Sequence, residues 1–262
     1  MSTMPVNIGR IDNEGWELLV SYRNNIGYFN YAVSGNVSQN RNKVVDLGLP
    51  TAYIYGGGGH PNTGPSPCKT VNGQPISQFW GLKTDGMITS QAEIDALNAK
   101  AQANGYDYYH QRLTGIGDLK YVDLNNDGKI TPDDRAPIGF ARTPEMMFGF
   151  GGSVAWKGID LSVGFTGAAR TSTFLMSEDM MPFSLEYPRY NVSREYYDHR
   201  WIPGADNSRA KYPAVINGNN PNNYQKSTLY LRDASYIKLK NAEIGYTLPE
   251  RWCRKIGIQK VR

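Results

Sequence analysis

The sequence predicts an all-β fold made of long antiparallel strands. Three regions alternate between apolar and polar side chains with a period of two, which is the pattern of a strand with one apolar face. The 28 glycines and 15 prolines among the 262 residues supply many turns. The alternating runs are about ten residues long, longer than the usual 5–6 of globular strands, and tight turns or very long irregular segments separate them.

The first two regions each predict a β-hairpin. Residues 14–23 and 28–39 alternate on either side of a turn at residues 24–27, and residues 146–156 and 159–166 alternate on either side of Lys157 and Gly158. Asn/Gly and Lys-Gly pairs between alternating runs are typical hairpin connections. One face of each hairpin is apolar, through Trp16, Leu18, Val20, Tyr22, Phe29, Tyr31, Val33 and Val37 in the first, and Phe148, Phe150, Val154, Trp156, Ile159, Leu161, Val163 and Phe165 in the second.

The third alternating region, residues 235–248, changes parity part-way. Ile237 and Leu239 share one parity, whereas Ala242, Ile244 and Tyr246 share the other. We therefore predict a β-bulge near residues 240–241, or the meeting of two pairing segments there.

Between the strands, the sequence predicts loops and one or two short helices. Ser90 and Glu93 form a capping-box pattern that predicts a helix over residues 91–103. Asn191 is a candidate cap for a second short helix. The glycine run at 56–59 lacks the strand, the helix and the Lys-Ser or Lys-Thr pair of a phosphate-binding loop, and predicts a flexible loop.

Strand length and loop pattern together favour a membrane barrel. A tilted strand needs about 9–11 residues to cross a bilayer, and such barrels alternate short turns with long external loops between two aromatic girdles. The fold class predicted is an antiparallel transmembrane β-barrel segment, partial and unclosed, with long extracellular loops. Its strands cover about residues 14–39, 146–167 and 229–248, its long loops about 41–145 and 170–228, and its girdle residues are Trp16, Tyr22, Tyr28, Trp156 and Tyr246.

Composition and motifs exclude several function classes. The net charge of +4 without a basic run predicts no nucleic-acid partner. The three histidines lack metal-ligand spacing, and Asp198-His199 has no nucleophile motif beside it, so we predict no catalysis. Residues 1–5 lack the charged start of a signal peptide, which taken literally indicates a cytoplasmic protein. Cys68 and Cys253 are equally compatible with a disulfide and with two thiols.

Residues 123–134 have the spacing of a calcium-binding loop. Oxygen-bearing side chains occupy loop positions one, three and five, a glycine lies at six and a carboxylate at twelve. The predicted ligands of a structural Ca²⁺ are Asp123, Asn125, Asp127, the backbone carbonyl of Lys129, and Asp134. The alternative is a plain Asn-Asn-Asp-Gly turn with solvated acids.

Several motifs resemble the SusC/RagA-type TonB-linked outer-membrane transporters. They keep the family's order over nearly the whole chain, and comprise residues 13–18, 73–76, 83–86, 117–130 with 133–135 and 138–139, 157–162, 201–203 with 211–213, and 235–249. The resemblance identifies the chain as part of the C-terminal barrel region of such a TonB-dependent receptor, and we expect that further strands would follow it and a plug would precede it.

The resemblance also implies a function and a location. The family lies in the cell outer membrane, in contact with its lipid, and imports glycans or peptides with energy from TonB, which acts through the plug domain. A SusD-like surface lipoprotein serves as the lid. The alternative is a secreted, calcium-stabilised β-domain that binds carbohydrate. The two hypotheses differ in whether the apolar strand faces meet in one packed core or form an outward band about 25 Å tall.

Aromatic clusters in the long loops add a possible glycan contact. Aromatic rings stack on sugars, although tyrosines also fill loop packing. The candidates are Tyr106, Tyr108, Tyr109, Tyr187, Tyr190, Tyr196 and Tyr197.

Overall fold

The computed structural model describes residues 9–48, 53–56, 66–111, 113–183, 191–216, 218, 220–255 and 257–262. These residues form thirteen β-strands and three α-helices. The strands are β1 Arg10–Ile26, β2 Phe29–Asp46, β3 Tyr53–Tyr55, β4 Cys68–Val71, β5 Gln78–Gly81, β6 Thr84–Met87, β7 Leu119–Tyr121, β8 Ala136–Pro137, β9 Met146–Trp156, β10 Ile159–Ala169, β11 Ser172–Phe174, β12 Leu231–Asp233 and β13 Tyr236–Tyr246. The helices are α1 Gln91–Ala103, α2 Arg194–Asp198 and α3 Glu250–Lys255.

The chain divides into two compact units. The sheet unit comprises Ile11–Lys43, Thr143–Thr171 and Ala234–Arg262, and the loop unit comprises the rest, chiefly Val44–Arg142 and Ser172–Asp233. The predicted all-β antiparallel fold is confirmed. The sequence indicates only long loops for most of the residues in the loop unit, whereas the structure shows a folded unit there. Its strands are two to four residues long, too short to produce a periodic signal.

The sheet unit is one five-stranded sheet in the order β1-β2-β9-β10-β13. Both predicted hairpins are present. The second turns at Lys157 and Gly158, both with positive φ, as the sequence indicates. The first turns at Gly27 and Tyr28 rather than at residues 24–27, because Gly27 supplies the left-handed backbone and the strand continues through Ile26.

The predicted bulge lies in β13. Antiparallel pairing runs from Ile159 opposite Tyr246 to Gly164 opposite Asn241, and resumes with Phe165 opposite Leu239. Lys240 is therefore the extra residue. It restores the parity of the strand, so that Leu239 and Ile237 share a face with Ile244 and Tyr246.

The loop unit contains a four-stranded sheet, β3-β4-β5-β8, and two two-stranded ribbons, β6-β7 and β11-β12. Predicted strand 229–248 is thus divided: β12 pairs with β11, and β13 joins the large sheet. The core of the unit is rich in tyrosine and methionine, and consists of Leu82, Leu119, Tyr121, Met176, Met180, Met181, Tyr196, Tyr212, Leu229 and Tyr230.

The helices follow their caps. Helix α1 has the predicted bounds, and the Ser90 hydroxyl accepts a hydrogen bond from the Glu93 N–H at 3.2 Å. Helix α2 is capped by Ser193 rather than by Asn191, because the Ser193 hydroxyl accepts from the Tyr196 N–H. None of the described helices has the length and apolar character to cross a membrane. Cys68 and Cys253 are both buried free thiols.

Gly117 offers a test of the loop unit's packing. Its φ is +88°, and a Cβ there would lie 2.6 Å from Trp201 Cδ1 and 2.9 Å from Ala214 Cβ. Gly117→Ala should destabilise the unit by roughly 2–4 kcal/mol through left-handed strain and overpacking. Gly115→Ala is the matched control, since the nearest atom to its Cβ is 4.0 Å away. The measurement is thermal unfolding of both variants in detergent. Equal midpoints would contradict the close packing at Gly117.

Candidate functional site

The sheet unit presents one continuous apolar face. The registers align Tyr31 with Val154 and Leu161, and Leu161 with Ile244. These side chains do not belong to a core: Trp16 is 51% exposed, Leu161 44% and Ile244 81%. Neither buried cluster in the described residues contains a residue of this face. In the described residues these apolar side chains are therefore exposed and do not meet in one packed core.

The opposite face consists mainly of small and polar side chains, with Leu19 and Met147 as exposed apolar exceptions. Ser34, Gly151, Gly164 and Asn241 form one line across β2, β9, β10 and β13. A Cβ on Gly164 would collide with the Asn241 amide, so the asparagine side chain occupies the space next to the glycine. The neighbouring line is similar, since a Cβ on Gly149 would lie 2.8 Å from Asn36 Oδ1. Amide side chains therefore cover a glycine surface, which leaves this face polar and shallow.

The lengths of β9 and β10 match the dimensions of a bilayer, whereas β1 and β2, with 17 and 18 residues, are longer than the roughly ten residues that the sequence predicts. Strands β9 and β10 have 11 residues each. At about 3.3 Å per residue such a strand is roughly 36 Å long, and a tilt of about 45° reduces its height to about 25 Å. That height equals the apolar band of outer-membrane barrels.

The predicted calcium loop is organised around its own amides. Gly128 has a φ of +89°, and its N–H donates to Asp123 Oδ2 at 3.0 Å. The Lys100 ammonium donates to the same oxygen at 3.0 Å. Burial alone would raise the pKa of Asp123, but the Lys100 and Gly128 donors outweigh it and hold that pKa below its usual value. The other oxygen, Oδ1, is buried and accepts no hydrogen bond.

The remaining predicted ligands also bond within the loop. Asn125 Nδ2 donates to Asp127 Oδ2 at 3.0 Å, and the Lys129 N–H donates to Asp127 Oδ1 at 2.9 Å. Asp134 is fully buried, with Oδ1 accepting from the Leu124 N–H at 2.9 Å. In the part of the chain that the structure describes, no three Asp, Glu, His or Cys side chains cluster as a metal site. The side chains of Asn125 and Asp127 are thus in contact with each other, whereas the Asp134 carboxylate is bonded to the backbone at Leu124.

A buried polar network lies beside the loop, and sequence reasoning missed it. The Asp118 carboxylate accepts from the side-chain amides of Asn220 at 2.8 Å and Asn223 at 2.7 Å, and from the Gly115 N–H at 2.8 Å. Asn222 donates to the Leu119 carbonyl at 2.9 Å. The Asn-Pro-Asn-Asn run at 220–223 is the sequence feature that could have indicated this network. Side-chain amides both donate and accept hydrogen bonds, so they can satisfy a buried carboxylate without a positive charge.

The structure divides the aromatic candidates. Tyr109 and Tyr196 are buried, so they pack rather than present a face to a ligand. Tyr108 and Tyr197 are exposed, and Arg200 lies 3.9 Å from the centre of the Tyr197 ring. Tyr187 and Tyr190 lie outside the described residues, as do His60 and residues 57–59 of the glycine run.

Comparison with known proteins identifies relatives over the whole chain. The sequence is 28% identical over 267 residues to TonB-dependent receptor P26 of Formosa agariphila, and 26% identical over 269 residues to TonB-dependent receptor P3 of the same organism. The chain is a homologue of the TonB-dependent receptors. No family model matches the sequence.

A solved structure gives the same answer for the fold. The chain is similar to part of the structure titled as the RagAB peptide transporter, with a TM-score of 0.67 at 17% identity over 97% of this chain. The chain spans 24% of that structure's chain and 24% of each of the two TonB-dependent receptors above. TonB-dependent receptors are outer-membrane proteins, and the predicted outer-membrane location is confirmed.

The buried His110 should make the stability of the loop unit depend on pH. Burial, followed by repulsion from Lys120, lowers the pKa of His110 to about 4, although Glu93 opposes the shift. The neutral ring accepts the Tyr121 N–H at Nε2, 3.1 Å away. Because the folded pKa lies below the unfolded value of about 6.5, the unfolded chain binds the extra proton between these values, and stability falls as pH decreases from about 6.5 to 4.

The expected loss is roughly 3 kcal/mol, and it should be absent from His110→Gln, whose amide oxygen can accept the same N–H without titrating. Thermal midpoints of the native protein and the variant at pH 7.5 and 4.5 measure the difference. An equal acid shift in both proteins would show that other groups carry it.

Proposed function

We propose that this chain contributes membrane-spanning strands and external loops to an outer-membrane nutrient importer. The two-faced sheet carries the proposal, with its exposed apolar face and its small, polar opposite face. In a bilayer the first would contact lipid and the second would line the barrel interior. Whole-chain similarity to TonB-dependent receptors supports this function.

The finer features of the proposal follow the family resemblance. Import is energised by TonB acting through a plug domain, a SusD-like lipoprotein covers the external side, and the cargo is a glycan or a peptide. The similar fold of a structure titled as a peptide transporter supports this class of cargo and partner. The loop unit, folded rather than irregular, would supply part of the external surface. The relatives are named as receptors and a transporter, which supports a role other than catalysis.

Adjacent residues on opposite faces test the orientation of the sheet. Val163 lies on the apolar face beside Gly152, and Ser162 lies on the polar face beside Ser153. In the protein as the cell makes it, Val163→Arg should cost about 2–4 kcal/mol of membrane stability near the bilayer midplane. Ser162→Arg should cost little. The folded fraction in isolated outer membranes, read from heat-modifiable gel mobility, is the measurement, and the opposite order would invert the assignment of the faces.

We further propose that the loop from Asp123 to Asp134 binds a structural Ca²⁺. The ligand spacing favours it, as does the buried Asp123 Oδ1 that accepts no hydrogen bond. A carboxylate or amide oxygen that accepts one N–H keeps a second lone pair, so Asp127 Oδ1 and Asn125 Oδ1 can each accept a backbone N–H and still bind an ion. Ion binding would draw Asp127 and Asp134 toward Asp123, and this rearrangement agrees with an affinity in the weak class of about 10⁻⁴–10⁻³ M.

Calcium-dependent protection of residues 117–139 from proteolysis tests this role. With 10 mM Ca²⁺ and such an affinity, cleavage should slow about 10- to 100-fold relative to chelator. Asp127→Asn should remove most of the protection. Asp133→Asn is the charge-matched control, because Asp133 is exposed and occupies a position that supplies no ligand. Equal rates with calcium and chelator, or equal effects of the two variants, would count against a metal.

A further inference from the structure

The end of the sheet unit at which both hairpins turn carries a row of exposed apolar side chains. Strand pairing aligns Phe29 with Trp156, Trp156 with Ile159, and Ile159 with Tyr246. All four are exposed. Tryptophan and tyrosine combine an apolar ring with one polar group, which suits them to the boundary between lipid tails and headgroups. This row is therefore one edge of the apolar face.

The segment that contains α3 adjoins this edge. The Thr247 N–H donates to the Gly158 carbonyl at 2.7 Å, which joins the end of β13 to the second hairpin turn. Helix α3 begins three residues after Thr247. The Leu248 N–H donates to the Val261 carbonyl at 3.0 Å, so the chain returns to the same end of the sheet after the helix.

The charged side chains at this end are mostly positive. Residues 155–160 and 245–262 contain six basic side chains and two acidic ones. Both acids are already paired, because Arg262 bonds Asp160, and Arg254 Nε donates to Glu250 Oε1 at 3.0 Å. Glu243 lies near Arg262 on the polar face of β13. The other basic side chains form no ion pair with a described residue, and they are Lys157, Arg251, Lys255 and Lys260.

Two of these cations lie against tryptophan rings. Lys157 Nζ is 4.9 Å from the centre of the Trp156 ring, and Arg251 Cζ is 5.9 Å from the centre of the Trp252 ring. Both cations and both tryptophans are exposed. A ring face attracts a cation without neutralising it. Each pair therefore presents an indole ring together with a full positive charge.

We propose that this edge of the sheet unit binds the headgroups of anionic phospholipids. Lys157 and Arg251 contact the lipid phosphates, and Trp156 and Trp252 lie at the boundary with the acyl chains. The proposal rests on the proposed membrane function, since it requires the apolar face to contact lipid. Short turns of outer-membrane barrels lie on the periplasmic side, so the lipids are those of the periplasmic leaflet.

Competition between two lipids in one membrane tests the site. The protein as the cell makes it is reconstituted into vesicles of equimolar phosphatidylcholine and phosphatidylglycerol, and is then extracted in a mild detergent. Mass spectrometry measures the ratio of the two lipids that the protein retains. Phosphatidylglycerol should be enriched over its share of the vesicles, because it carries a net negative charge and phosphatidylcholine does not.

Two double variants locate the binding surface. Lys157→Gln with Arg251→Gln should lower the enrichment by about fivefold for each cation removed. Arg209→Gln with Lys83→Gln removes the same charge from exposed positions of the loop unit, and should leave the enrichment unchanged. An equal fall in both double variants, or no enrichment in the unmodified protein, would overturn the proposal. Heat-modifiable gel mobility confirms that each variant is folded.

Two further arms identify what is recognised. Lys157→Arg with Arg251→Lys keeps both charges and should keep the enrichment, so a loss would contradict recognition by charge. Sodium phosphate and sodium chloride at equal ionic strength should weaken the enrichment equally through screening. A stronger effect of phosphate would indicate a site for the free ion instead of a lipid.

Insertion into vesicles of phosphatidylcholine alone separates this proposal from the proposed function. A protein that inserts there, yet retains no excess of phosphatidylglycerol from the mixed vesicles, keeps the membrane function and lacks the headgroup site. A protein that inserts into neither membrane contradicts both proposals.

Discussion

Side-chain alternation with a period of two is the constraint on which the sheet unit depends. A slip of one residue in any strand would move its whole apolar set to the other face. Strand β13 shows how strictly the period is kept. Its sequence changes parity, and the single extra residue at Lys240 restores the alignment of Leu239 and Ile237 with the apolar side chains of β10. Without the bulge, two apolar side chains would lie on the glycine- and serine-rich face.

The loop unit is stabilised by a different kind of interaction. Its core contains tyrosines whose hydroxyls need partners, and backbone carbonyls provide them: Tyr121 Oη donates to Asn222 at 2.7 Å and Tyr230 Oη to Asn223 at 2.9 Å. The same asparagine segment satisfies the buried Asp118 carboxylate. Buried polar groups that are fully hydrogen-bonded specify one arrangement, because each alternative leaves a donor or acceptor unpaired. Polar pairing thus fixes a unit with very short strands.

The sequence was most informative where one local rule acts alone. Helix α1 was predictable because Ser90 caps its start and Gly105 follows its end. The Lys157-Gly158 turn was predictable because a glycine lies between two alternating runs. The bulge at Lys240 was visible as a parity change. The first hairpin turn was misplaced because the asparagine pair at residues 24–25 is a strong turn signal, whereas the strand continues to Ile26 and turns at the glycine. Strand pairing in the sheet, rather than the local asparagine signal, determines where the turn lies.

The sequence by itself determined the all-β class, the two hairpins, the two-faced strands and the resemblance that points to the outer membrane, since these follow from local periodicity and motif order. Only the tertiary structure decided that the long interruptions fold into a unit of their own. It also showed that Tyr196 is buried while Tyr197 is exposed. The physical reason is sequence distance: the period of a strand is set by neighbouring residues, whereas the asparagine partners of Asp118 lie more than a hundred residues away in the chain.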